Sequence, residues 1–360
     1  MKKALILLNM GGPNNLSEVE VFLKNMFNDP FILGVKSDFW RSVLASLIVK
    51  SRTASARSNY EKLGGRSPIC SITEALCERV NELARAKFGA ELKFENAASV
   101  SAANEPSQDV SSQSKPSQEA QTQNEAPQDE KPIDELICDY AMNYTPPFAE
   151  DVFKKYADFD EIILMPLYPH FSKTTVQSSL CSAEAALKRL GIKNYKTIDI
   201  FYDNAAYNEI LLNLIASCVA KFSADEISQI SLIFSAHSLP VKMITAGDPY
   251  EAQVGEHVEI LKNLLAARGI KFKEIILAYQ SRLGPVKWLE PNIADVLRDL
   301  QSKKALIFPI AFCVDNSETD FELDIFYRAR ARELDYEYYE VCKCPNSRED
   351  FAKFILAQAL

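Results

Sequence analysis

Histidine is scarce in this sequence: 360 residues carry three, at positions 170, 237 and 257. Chemistry that needs a neutral-pH base therefore has few candidates. The eight cysteines form no CxxC pair, which excludes a zinc site of the usual spacing. No HExxH is present, and no histidine pair at helical spacing, so a permanent metal site is not expected. GxGxxG is also missing. Asn9-Met10-Gly11-Gly12-Pro13 has adjacent glycines for a tight turn, but not the dinucleotide fingerprint. Positive charge is in deficit, with 40 Lys and Arg against 49 Asp and Glu and a net charge of −9. That balance argues against a nucleic-acid partner. No apolar run reaches the length of a membrane span. The first, Ala4–Leu8, is too short for a signal peptide and reads as a strand.

What is present suits a soluble α/β enzyme: 47% hydrophobic and 25% charged residues. Scattered thiols without a pairing pattern read as reduced, mostly buried cysteines of a cytosolic protein. Cys342-Lys343-Cys344 alone supplies too few ligands for an iron–sulfur cluster. Ser17-Glu18-Val19-Glu20 reads as a capping box before a helical face of Val19, Phe22, Leu23, Met26 and Phe27. A helix from Asp38 carries a wide apolar stripe, Phe39, Trp40, Val43, Leu44, Leu47 and Ile48. Such a stripe faces a core, or forms a lip for an apolar ligand or a membrane surface. The next helix is capped at Ser71 and expected to end near Phe88, and Leu92-Lys93-Phe94 begins a strand. Residues 96–131 are Ser, Gln, Glu, Asn, Ala and Pro with almost no large apolar side chain, which predicts an unfolded insertion. Beyond it, strands expected at 137–143, 161–167, 197–202, 230–236, 274–279, 305–310 and 337–341 alternate with helices. That alternation implies parallel sheets covered on both faces. The expected division is 1–158, 159–330, and a final strand and helix, 331–360, packing back on the first domain.

Two stretches carry the chemistry. In Ile230–Pro240 an apolar strand runs into Ser235-Ala236-His237-Ser238, which places His237 at the carboxyl end of a strand. Ligands of open α/β sheets bind at that edge. A core histidine bonded to a backbone carbonyl would fit the same pattern. The second stretch, Phe308–Asp324, crowds Asp315, Glu318, Glu322 and Asp324 at a helix start. Glu318 and Glu322 are four residues apart and share a face. A row of carboxylates can pass protons or a divalent cation, although a solvated acidic helix start has the same spacing. A histidine facing a glutamate across a cleft would supply a neutral base and an anionic partner.

Ser235-Ala236-His237-Ser238-Leu239-Pro240 resembles the signature of the ferrochelatases, which insert ferrous iron into a porphyrin. Leu7–Pro13, Leu63–Ile69, Pro166–Pro169 with Ser178-Ser179, Tyr279–Pro291 and Asp315–Thr319 are similar to family segments in the same order. The resemblance covers the chain outside 96–131. Three positions depart from it: Asn316 stands where His is common, Asn143 where many relatives carry Arg, and Arg66 where a third Gly is frequent. The resemblance implies two doubly wound Rossmann-like domains of class II chelatase type with a cleft between them. It implies insertion of iron into protoporphyrin IX to give protohaem, the last step of haem biosynthesis, in the cytoplasm. No cofactor is permanently bound, and ferrous iron is a substrate. His237 and Glu318 become the catalytic pair and the metal contacts, and Asp315 and Glu322 an outer acidic path. Met10, Trp40 and Tyr60 become porphyrin contacts, and the apolar stripe becomes a lip compatible with peripheral contact at the inner membrane face. Coproporphyrin is the alternative substrate. Cobalt insertion into a corrin precursor fits less well with three histidines, and a non-catalytic porphyrin-binding protein is the remaining alternative.

Overall fold

The computed structural model describes residues 1–101, 133–282 and 284–360. Strand β1 (Lys2–Asn9) is followed by helices α1 (Val19–Asn28), α2 (Asp38–Lys62) and α3 (Ile69–Ser101). Next come β2 (Glu135–Met142), β3 (Glu161–Pro166), α4 (Ser178–Leu190) and β4 (Tyr195–Thr197). Helix α5 (Ala205–Val219) leads to β5 (Ser231–His237), α6 (Tyr250–Ala267), β6 (Glu274–Gln280) and β7 (Lys304–Phe308). A π-helix, Glu318–Tyr327, then β8 (Tyr338–Val341) and α7 (Glu349–Ala359) complete the chain.

The strands form two parallel sheets of the same plan, β2-β1-β3-β4 and β6-β5-β7-β8. Each is the doubly wound arrangement expected, with the strand order reversing beside its first strand. β1 and β5 are apolar on both faces, so helices must cover both sides. Leu5, Leu7, Leu232 and Phe234 belong to one continuous core that also takes in Phe351, Phe354 and Ile355 of α7. Full burial of each such side chain is worth about 1.5–3 kcal/mol. The two sheets are therefore joined by shared apolar packing.

Several expectations need correction. The domain boundary does not fall at 158/159, because β3 and β4 pair into the first sheet, which therefore extends to Thr197. Alternating elements reveal a parallel sheet but not which sheet a strand joins. Of the expected tail 331–360, β8 completes the second sheet beside β7, while α7 packs against α3 and α5. Leu92-Lys93-Phe94 is helical, within α3, since Ala, Glu, Leu and Lys favour helix and one glycine does not stop it. Helix α3 also takes in 96–101 of the supposed insertion, and 102–131 lie outside the described residues. The fourth strand is short, Tyr195–Thr197, rather than 197–202. The first helical turn is capped by Asn15, whose side chain accepts from the Ser17 N–H, rather than by Ser17.

A polar seam sets one half against the other. The loop after β3 docks on α6 and the turn before it. The Phe171 N–H donates to Gln253 Oε1 at 2.7 Å, and the Lys173 N–H and Ser172 Oγ donate to Asp248 at 2.9 and 3.1 Å. Buried in this seam, Asn208 Nδ2 donates to the carbonyls of Tyr202 and Asn204, so its Oδ1 is left to accept from His257 Nε2 at 2.9 Å. His257 Nδ1 must then accept from His170 Nε2, also at 2.9 Å. Both rings are neutral. Burial pushes His257 down to about 3, and burial with the neighbouring ring holds His170 well below the ordinary histidine range.

This neutral pair makes folding sensitive to acid. An unfolded His257 takes up a proton near pH 6.5, whereas the folded ring does not until about 3. Its contribution is therefore complete above pH 6.5 and is lost as pH falls toward 3. Between pH 7 and 5 the loss is on the order of 2 kcal/mol. His257→Gln cannot be charged and should flatten that decline, measured by chemical denaturation at the two pH values. A parallel decline in both proteins would remove His257 as its source.

Candidate active site

The site lies where β5 and β7 diverge, at the point where the strand order of the second sheet reverses. His237 is the last residue of β5, and the π-helix begins at Glu318 beyond the end of β7. His237 Nδ1 and Glu318 Oε2 are 2.8 Å apart, with side chains 38% and 21% exposed. Burial on its own pulls His237 down, but the Glu318 charge, their hydrogen bond and the Glu322 charge outweigh it and raise the pKa. Burial likewise pushes Glu318 up, but His237, Gln280 and Ser281 bring it below its ordinary value. The two shifts agree: each group favours the charged form of the other, which biases the pair toward imidazolium and carboxylate. Glu322 is raised by burial first and by Glu318 second, so it takes up protons more readily than a free glutamate.

The chain builds this pair from three directions. Asn316 Oδ1 accepts from the Glu318 N–H at 2.8 Å, capping the first turn of the π-helix. Gln280, paired with His237 across β5 and β6, is fully buried. It accepts from Ser235 Oγ at 2.6 Å and offers its amide Nε2 to Glu318 Oε2 at 3.3 Å. Ser281 follows in the left-handed region, φ 66°. That conformation is costly for a residue with a Cβ. It aims the Ser281 N–H at Glu322 Oε1, 2.9 Å away, and puts the hydroxyl between Glu322 and Glu318. From the first half, buried Tyr60 at the end of α2 reaches Ser317 Oγ at 3.4 Å, and burial pushes its phenol up to about 12.

His237, Glu318 and Glu322 are thus brought together, as expected, and Tyr60 lies next to them. Asp315 is not. It is buried and turned to the 343–346 loop, accepting from Asn346 Nδ2 at 2.7 Å and the Cys344 N–H at 3.3 Å. Adjacency in sequence grouped it with the row, but it precedes the π-helix and points elsewhere. Met10 sits in the turn after β1, where its N–H donates to Asn9 Oδ1. In that turn Gly11 has φ 83°, and any Cβ there would collide with Thr145. Trp40 is 63% exposed and packs edge-to-face on Phe39. Twenty residues of helix, about 30 Å along the axis, separate it from Tyr60, so the two do not border one small site. Asn143 Nδ2 donates to Ser178 Oγ at 2.8 Å, in a cluster that also holds Tyr144 and Asp29.

Sequence reasoning assigned no role to Gln280, Ser281 or Ser317. Each is uncharged, and only the segment similarity of Tyr279–Pro291 pointed at the first two. The π-helix was read as an ordinary helix. Such wide turns cluster at functional sites. A surface hollow of about 400 Å³ between Phe148 and Arg189 lies on the flank of the first sheet, and it contains no comparable acid–base pair.

The family model described as Ferrochelatase matches residues 2–108 and 97–359. A ferrochelatase of Campylobacter fetus is 50% identical over 356 residues, covering 99% of this chain and 98% of its own. One from Campylobacter concisus is 45% identical, covering 100% and 98%. One from Sulfurimonas denitrificans is 40% identical, covering 99% and 97%.

The three histidines should separate in a nuclear magnetic resonance titration. His237 should titrate above 6.5, whereas His170 and His257 stay neutral well below it. Glu318→Gln removes the main group that holds the His237 proton, so the His237 midpoint should move down. An unmoved or rising midpoint would show that the pair does not govern its charge.

Proposed function

The chain belongs to the ferrochelatase family, and from that premise we propose that it inserts ferrous iron into protoporphyrin IX with His237 and Glu318 at the point of insertion. The carrying observation is the 2.8 Å contact between them at the strand-order reversal. A porphyrin is a flat apolar disc with two central N–H groups. Metalation requires both protons to leave and the metal to shed water. A partly open imidazole beside a carboxylate meets both needs in turn. A dication approaching Glu318 disfavours the imidazolium, so the arrival of metal frees the base. Glu322, four residues along the π-helix and tied to Ser281, is positioned to take a released proton onward.

On this reading iron is a substrate, and no permanently bound cofactor takes part. On the same reading Met10 and Tyr60 border the macrocycle, Tyr60 through its contact with Ser317 beside Glu318. The exposed stripe of Phe39, Trp40, Val43, Leu44 and Leu47 serves as an outer lip. The same stripe supports peripheral contact of a cytoplasmic protein with the inner membrane face. Among the described residues, no helix is long and apolar enough to cross a membrane.

Anaerobic addition of ferrous iron, followed by porphyrin absorbance, tests the reading. Protoporphyrin should turn over faster than coproporphyrin, and the reverse order would reassign the substrate. His237→Ala should lower turnover at least ~100-fold in a protein that still folds, as far-ultraviolet circular dichroism would show. Near-normal turnover would remove His237 from the chemistry. Ser281→Ala, which frees both carboxylates from the bridging hydroxyl, should raise the KM for iron about tenfold while leaving the porphyrin KM alone. An equal rise in both would mean that the hydroxyl acts on the fold, not on the carboxylates.

A further inference from the structure

The function above leaves all eight cysteines without a role, and two of them meet. Cys218, near the end of α5, and Cys342, just beyond β8, are 124 residues apart in sequence, with their Sγ atoms 2.7 Å apart. That separation is closer to the ~2.05 Å of a disulfide than sulfurs in simple contact come. We propose that Cys218 and Cys342 form a peroxide-sensitive site that closes reversibly to a disulfide.

The two sulfurs differ in the way such a site needs. Cys218 is partly exposed, while Cys342 is 1% exposed behind it. The Cys342 thiol donates to Cys218, which lowers the Cys218 pKa against its burial and the nearby Glu340 charge, and Lys221 adds to the lowering. Burial keeps Cys342 protonated, well above the ordinary thiol range. Cys218 is thus the attacking sulfur and Cys342 the resolving one.

The Cys218 thiolate attacks the O–O bond of hydrogen peroxide, giving a sulfenic acid and hydroxide. The Cys342 sulfur displaces a second hydroxide from that sulfenic acid as the S–S bond forms. The two thiol protons end on the two hydroxides. Overall, two thiols lose two electrons and one peroxide becomes two waters.

The other thiols lack one or other of these features. Cys77 and Cys138 also share a hydrogen bond, but both are buried, and burial first raises Cys77 well above its ordinary value. Cys181 is exposed, and burial with the charges of Glu184 and Asp29 raises its pKa. Cys344 follows Cys342 by two residues, but it is buried beside Asp315 instead.

The test uses the reduced full-length protein, treated with stoichiometric hydrogen peroxide, alkylated with N-ethylmaleimide and digested with trypsin without reductant. Cleavage after Lys343 separates Cys342 from Cys344. Mass spectrometry should find residues 197–221 linked to 333–343, and dithiothreitol should release them. Oxidation should raise the thermal midpoint by several degrees, as closing a long loop does. Cys218→Ser should abolish both changes while folding as the parent does. Oxidation confined to Cys181, or a link between Cys77 and Cys138 with Cys218 and Cys342 both alkylated, would overturn the proposal. None of these readouts depends on iron insertion, so the outcome stands apart from the proposed reaction.

Discussion

The proton shared by His237 and Glu318 is the interaction on which the site depends. Burial shifts both groups toward their neutral forms, and each draws the other back toward its charged form. Removing either partner leaves an uncompensated charge in a largely enclosed place, which costs more than the pair contributes. The surroundings serve this pair. Gln280 spends its amide on Glu318, and Ser281 accepts an unfavourable backbone conformation to reach both carboxylates. Asn316 uses its side chain to cap the turn that presents Glu318. At Asn316, where the family resemblance leads one to expect His, this chain therefore has a helix cap rather than a second base.

That arrangement requires the two halves to hold a fixed relation, since Tyr60 comes from one and Ser317 from the other. Two different forces supply it. A continuous apolar core joins the sheets, and it gives strength without direction. The seam of residues 170–173 on 248–257 gives direction, because each of its hydrogen bonds has one geometry. The two histidines outside the site are part of that seam.

Much of this was legible in the sequence. The strands were visible because a sheet buried on both faces demands short apolar runs, and His237 was visible because β5 ends in small polar residues. Residues 161–197 were placed in the wrong half, since alternation is the same whichever sheet a strand joins. Gln280 and Ser281 escaped because hydrogen-bonding geometry, unlike charge, has no signature in composition. Asp315 was misplaced for the opposite reason: its charge was read and its direction was not. The Cys218–Cys342 contact could not be read at all, since 124 residues of intervening chain carry no trace of it.

The π-helix at Glu318–Tyr327 has a further consequence. A wide helix is held together by hydrogen bonds one residue longer in reach than those of an α-helix. Its register therefore depends on the number of residues it contains as well as on their kind. Losing one residue would let the segment wind into the tighter, commoner helix, with better backbone bonding and every other side chain kept. Glu318 and Glu322, four residues apart, would still share a face, but everything beyond the lost residue, from Tyr327 into the helix that follows, would turn against them. How the acidic row is set against the helix that follows is in this sense a matter of counting, and the stretch is less tolerant of a change in length than of many changes in identity.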